Sequence, residues 1–247
     1  MVKTYICLHL TCMIRFLIMV FVLNAGLASG QTFSYPAIVS YGNQNTDFIP
    51  HNWTLLDSTK GDLNRDQRAD LAFVIQYRDS VSIVKTENSY SDTVITQPRI
   101  LVIAFYDSLK NQYKLIEQSN TFILNHDNPN MEEPFQKISI SKGVLKIDFQ
   151  IFMDMGGWEM SDNTYLFRYQ DNEFVLIGAD YNSTNRASGE TEDRSYNFLT
   201  KKVRTSKGNI STKKQKTVWR TFQPDQLRTL KTFTQPFTWE VERDYYL

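Results

Sequence analysis

The sequence predicts an all-β protein built from predominantly antiparallel sheets, sandwich-like or partly propeller-like, with few helices. Three features of the 247 residues carry this expectation: short runs of alternating or wholly apolar residues, turn-forming residues between consecutive runs, and no stretch that sustains a helical apolar period over 12 residues. In chain order, Leu71-Ala72-Phe73-Val74-Ile75 reads as a strand beginning directly after an Asp/Asn-rich loop. Ile100 to Phe105 is apolar on both faces and reads as a central strand, turning through residues 107–111 into Tyr113-Lys114-Leu115-Ile116. Leu145 to Met153 alternates, with Leu145, Ile147, Phe149, Ile151 and Met153 on one face, so it is a half-buried strand. Phe135 to Ile140 is its hairpin partner, because Lys142-Gly143 supplies a tight turn. Tyr165 to Tyr169 alternates likewise and turns at Asp171-Asn172 into Phe174-Val175-Leu176-Ile177. Residues 76–97 and 182–194 read as long loops, and Pro224 to Lys231 as one or two helical turns with Pro at the first position.

The first 30 residues belong to a different category. Lys3 and Arg15 precede the apolar run Phe16 to Leu23, and the small-residue stretch Ala25-Gly26-Leu27-Ala28-Ser29-Gly30 follows, which is the order of a secretory signal peptide. A membrane-spanning helix needs roughly 20 apolar residues, so no stable membrane anchor is expected. Cleavage after Ala28 or Gly30 leaves a mature β-rich domain over residues 31–247, with room for two closely packed β-units divided near residues 125–134. Removing Lys3 and Arg15 leaves 25 basic residues against 27 acidic ones, a net charge of −2, which argues against nucleic acid as a partner. Cys7 and Cys12 lie in the same segment, so the mature chain would hold no disulfide, thiolate zinc site or cysteine nucleophile. The expected location is the periplasm or the cell exterior.

The most informative motif is Gly61-Asp62-Leu63-Asn64-Arg65-Asp66-Gln67-Arg68-Ala69-Asp70-Leu71. Side-chain oxygens of Asp62, Asn64, Asp66 and Asp70 fall at loop positions 1, 3, 5 and 9, and the Arg68 carbonyl at position 7 completes a set of hard oxygen donors suited to Ca²⁺. An Asp/Asn-rich turn that caps a strand without metal has the same composition. Position 12 is Phe73, so the EF-hand pattern does not apply. The spacing, with a strand following, resembles the calcium loop of FG-GAP and VCBS-type repeats, found in secreted and surface β-propeller proteins. That resemblance implies a calcium ion that braces the loop and a role in adhesion or binding. Gln67 stands where such loops carry Gly and would need the left-handed conformation, at about 1 kcal/mol.

A second constellation lies at Asp154-Met155-Gly156-Gly157-Trp158-Glu159-Met160-Ser161-Asp162. Trp158 is a candidate ligand-binding platform, and Asp154, Glu159 and Asp162 are candidate acid and base groups for glycoside hydrolysis. A hairpin loop whose Gly-Gly makes the turn and whose Trp covers the sheet edge is the plainer alternative. After residue 30 only His51 and His126 remain, neither beside a nucleophile motif, and no phosphate loop, dinucleotide fingerprint or HExxH is present. Between Lys201 and Arg220 there are eight basic residues and no acid, which suits either an anionic partner or protection of strand edges. Together these features point to an exported, non-enzymatic binding or interaction protein with a calcium-stabilised loop and a glycan or cell-surface protein as partner. The alternative is a carbohydrate-active hydrolase using the carboxylates of residues 154–162.

Overall fold

The computed structural model describes residues 33–247 apart from 88, 89, 213 and 225. The signal peptide expected over residues 1–30 therefore lies outside the described residues, as do Lys213 and Asp225. The elements below all belong to the compact unit Ser34–Leu247.

Its first half contains β1 (Tyr41–Gly42), a 3₁₀ turn (Asn45–Phe48), β2 (Trp53–Gly61), β3 (Asp70–Tyr77), β4 (Val81–Glu87), β5 (Tyr90–Thr96), β6 (Arg99–Asp107) and β7 (Gln112–Ser119). Then come β8 (Phe135–Ser141), β9 (Val144–Phe152), β10 (Glu159–Gln170), β11 (Glu173–Asn185) and β12 (Glu190–Asn197). The chain closes with β13 (Lys202–Asn209), β14 (Gln215–Thr221), β15 (Glu240–Glu242) and β16 (Tyr245–Tyr246). One sheet has the order β1-β7-β6-β3-β2 and the other β14-β13-β12-β11-β10-β9-β8, with neighbours antiparallel throughout. Neither closes into a barrel. The protein is all-β and takes the sandwich form.

The sandwich follows from which faces are apolar. Ala72, Val74, Leu101, Ile103 and Phe105 of the first sheet share one buried core with Leu145, Ile147, Phe149, Tyr165, Phe167 and Phe174 of the second. Phe105 meets Tyr169 edge-on at 4.7 Å between ring centroids. Phe122, in the segment between β7 and β8, reaches Phe149, Tyr165, Phe167 and Phe233 at 5.1–6.3 Å and fills the centre. The opposite face of β3 and β6 is buried too: Phe48 of the 3₁₀ turn packs on Phe73, which is why these two strands are apolar on both sides. The two-residue hairpins form where expected, with left-handed pairs at Lys142-Gly143 (φ 52° and 74°) and Asp171-Asn172 (φ 52° and 62°).

Three expected features are corrected. Residues 76–97 are not a loop, because β4 and β5 pair as a two-stranded ribbon. Residues 182–194 are mostly strand: β11 runs to Asn185 and β12 begins at Glu190, joined by a short turn that uses Gly189 at φ 72°. These strands are polar because they extend the second sheet beyond the apolar core, so their side chains do not alternate in hydrophobicity. Among the described residues of 224–231 no helix forms: Thr229 makes an isolated bridge with Val175, and Leu176 N–H donates to the Arg228 carbonyl while Leu230 N–H donates to the Phe174 carbonyl, before the chain turns at 230–232.

Residues 125–134, where a division between β-units is expected, connect β7 to β8 and thereby the first sheet to the second. Here Arg99, 3% exposed, forms a two-pronged pair with Glu133 at 2.6 and 2.7 Å and also donates to Gln76 and the Leu124 carbonyl. Glu133 accepts from Phe135 N–H as well, so the pair locks the connection to both sheets.

Candidate functional site

The 62–70 loop joins β2 to β3, and its conformation is set by backbone amides seeking oxygen. Asp62 accepts from the N–H groups of Asp66 (3.1 Å) and Gln67 (2.9 Å). Asn64 Oδ1 accepts from the same Asp66 amide at 3.0 Å, and Asn64 Nδ2 donates to Asp66 Oδ2 at 3.0 Å. Asp66 in turn accepts from Arg68 N–H. Such Asx contacts are how short polar side chains stabilise tight turns. Both Arg65 (φ 66°) and Gln67 (φ 67°) are left-handed, so the turn needs two strained residues where the sequence signalled one. Arg65 lies against the β8–β9 turn, where a Cβ on Gly143 would stand 3.3 Å from its Nε.

Asp70 behaves differently from the other three. It is fully buried; Oδ2 accepts from Leu63 (2.8 Å) and Asn64 (3.3 Å), and Oδ1 from Tyr106 N–H (3.1 Å). Burial raises its pKa; the amides of Leu63, Tyr106 and Asn64 act in the opposite direction, and the charge of Asp66 adds to the rise. Leu63, itself wholly buried, ties the loop into the core shared by the two sheets, while Leu71 is buried on the other face of the first sheet.

The expected donors are therefore divided. Asp62 and Asn64 both accept from the Asp66 amide and the Asp66 carboxylate accepts from Asn64 and Arg68, whereas Asp70 is turned inward. Among the described residues no group of three or more His, Cys, Asp or Glu is placed to hold a metal. The outward oxygens, with the Arg68 carbonyl, fall short of the six to eight that calcium takes, so they fit that ion only if water completes its shell. Gln67→Gly should relieve the left-handed strain and raise stability by about 1 kcal/mol, read from the urea midpoint at constant slope; no change would place the strain elsewhere.

The loop after β9 is built as a display. Trp158 is 68% exposed, as is Met155, yet the backbone beneath them is held firmly. Arg186, from the β11–β12 turn, donates through Nη2 to the carbonyls of Met153 (2.8 Å) and Gly157 (2.7 Å). Its own N–H donates to the Trp158 carbonyl at 2.7 Å, and its guanidinium lies 4.3 Å from the Phe152 ring centroid. Asp154 N–H donates to the Asn130 carbonyl from the other side. Trp158 thus stands on a preorganised base, which lowers the ordering cost of binding against it.

The three carboxylates nearby are not gathered. Glu159 shares a face of β10 with Ser161 and Tyr165 and accepts from the Tyr181 hydroxyl, whereas Asp162 is on the opposite face and accepts from Gln150 at 2.9 Å. Tyr181 is pushed up to about 12, by burial first and then by its bond to Glu159, so it remains a donor at neutral pH. Asp154 lies in the loop itself. A shared acid and base pair of Glu159 and Asp162, one of the catalytic pairings the sequence suggested, is excluded by the strand's alternation.

Of the two histidines after residue 30, His126 contacts the Met131 carbonyl at 2.6 Å and lines a cleft of about 310 Å³ with Gln76, Thr96, Arg99 and Glu133. Within that cleft the Thr96 hydroxyl donates to the His126 carbonyl at 3.4 Å, and Arg99 is engaged by Glu133. Arg186 is the residue of this candidate site that sequence reasoning missed, since it is 28 positions from Trp158 in a stretch with no apolar period. Compared with family models, with curated proteins and with solved structures, the chain matches none.

Proposed function

We propose that the protein is an exported, non-enzymatic binding protein that takes a glycan on the Trp158 loop. The observation that carries this reading is the Arg186 clamp, which fixes the carbonyls of Met153, Gly157 and Trp158 while leaving the indole open to solvent. An exposed, rigid aromatic face costs little to order and stacks on the apolar face of a sugar ring. The separation of Glu159 from Asp162 favours binding over hydrolysis.

A glycan array tests the proposal. Wild-type protein should give a defined set of positive glycans, and Trp158→Ala should weaken binding to them about tenfold or more with an unchanged melting temperature. An array signal that survives Trp158→Ala would remove this site from consideration. Arg186→Ala should weaken the same glycans while leaving the indole in place.

In this proposal calcium is a brace and takes no part in chemistry. Asp62, Asn64 and Asp66, with the Arg68 carbonyl, would hold it, and its effect would be to stiffen the loop. Millimolar calcium should raise the melting temperature by about 2 °C, because ligation that leaves Asp70 out is weak. Asp66→Ala should abolish that rise. An equal rise in wild type and variant would show that the ion acts elsewhere.

A further inference from the structure

The feature of the molecule left without a role is the outer edge of β14. This strand is the terminal member of the second sheet, and among the described residues nothing pairs with its free side. All seven of its residues are exposed, the β13–β14 ladder has no bulge, and the strand contains no proline. Proteins ordinarily blunt such an edge with charge, bulges or proline, and here only charge is used. Val218 and Trp219 remain open to solvent, at 48% and 65%. An edge kept only for protection would not present an indole beside an unpaired backbone.

Side-chain alternation sorts the strand. Lys216, Val218 and Arg220 share the face of the sheet that bears Tyr196 and Tyr181, and Gln215, Thr217, Trp219 and Thr221 share the other. Arg220 is taken up by an ion pair with Glu242. Lys216, and Lys202 and Arg204 on the adjoining β13, have no acid partner among the described residues. From residue 194 to residue 224 the sequence has no acid at all. A second copy of the chain fits poorly: antiparallel self-pairing about Val218 would set Lys216 of each copy against Arg220 of the other.

We infer that the β14 edge is a docking strand for an extended acidic segment of a partner protein, which adds to the second sheet as an eighth strand with acids opposite Lys216 and apolar side chains beside Trp219. Main-chain hydrogen bonds would supply affinity, and charge would supply selection. This surface is distinct from the Trp158 loop and does not depend on the glycan proposal.

The test uses three capped seven-residue peptides on the full mature protein, followed by amide chemical shifts. The first alternates glutamate with valine, the second alternates lysine with valine, and the third is the glutamate peptide N-methylated at alternate amides. The glutamate peptide should shift amides of residues 215–221 and 202–209 and bind roughly fivefold more tightly than the lysine peptide. Lys216→Glu, a substitution at an exposed position, should reverse that preference, and the N-methylated peptide should not bind. The inference is overturned by equal binding of the N-methylated peptide, by equal binding of the lysine peptide, or by no shift at millimolar peptide. Self-association through β14 in the absence of peptide would also overturn it.

Discussion

Replacing Asp70 with alanine should lower the stability of the folded protein by about 4 kcal/mol, since three amide donors, one buried and two partly buried, lose their acceptor at once. For a domain of this size that corresponds to a fall of roughly 10 °C in melting temperature. The amides are those of Leu63, Asn64 and Tyr106, so the loss combines an unravelled loop with a loosened β6. Asp66→Ala on the exposed side of the same loop should cost far less, because the groups it frees can turn to water. A pH signature accompanies this. Burial raises the native pKa of Asp70 above its unfolded value, so the native state holds the proton more tightly. The contribution of this group to stability therefore falls as pH rises from the ordinary carboxylate range through the native pKa, and grows as pH is lowered. The stability difference between wild type and Asp70→Asn should accordingly widen toward acid, measured by urea melts at matched ionic strength. A difference that is flat with pH would mean the carboxyl titrates as it does in the unfolded chain.

Glu133→Ala is the second large effect expected. It strands the Arg99 guanidinium, which is only 3% exposed, and it removes the acceptor of Phe135 N–H. Breaking a buried ion pair from one side costs about 3–5 kcal/mol, and the 45% exposure of Glu133 places the expected loss near 3 kcal/mol. Replacing both members, Arg99→Leu with Glu133→Leu, should be less damaging than either change alone, since no lone charge is then left inside. A double-mutant cycle in denaturant reads this directly, and strictly additive losses would show that the two side chains do not act as a pair.

Strands with a packing duty were legible. Leu145 to Met153 alternates because one of its faces lies in the core, and residues 100–105 are apolar throughout because both faces of β6 are covered. Turn chemistry placed two hairpins correctly, through Lys142-Gly143 and Asp171-Asn172. What escaped was the far end of the second sheet. Residues 182–185, 190–197 and 215–221 are held in strands by their neighbours and lie largely beyond the apolar layer, so nothing forces their hydrophobicity to alternate. The candidate site divides along similar lines. The hydrogen bonds that link Asp62, Asn64 and Asp66 span at most four residues, so the turn they make was legible from their spacing. The inward turn of Asp70 depends on the Tyr106 amide, 36 residues away, and the base of Trp158 depends on Arg186. Long-range hydrogen bonds of this kind leave no periodic trace.

The most direct measurement is isothermal titration of an array-positive glycan into wild-type protein and Trp158→Ala, with the recovered glycan chromatographed afterwards. Saturable binding by wild type, its loss in the variant, and intact glycan in both samples are the predicted results. Undiminished binding by Trp158→Ala, or release of shorter glycans that stops in Glu159→Gln, would contradict a recognition site built on a clamped indole.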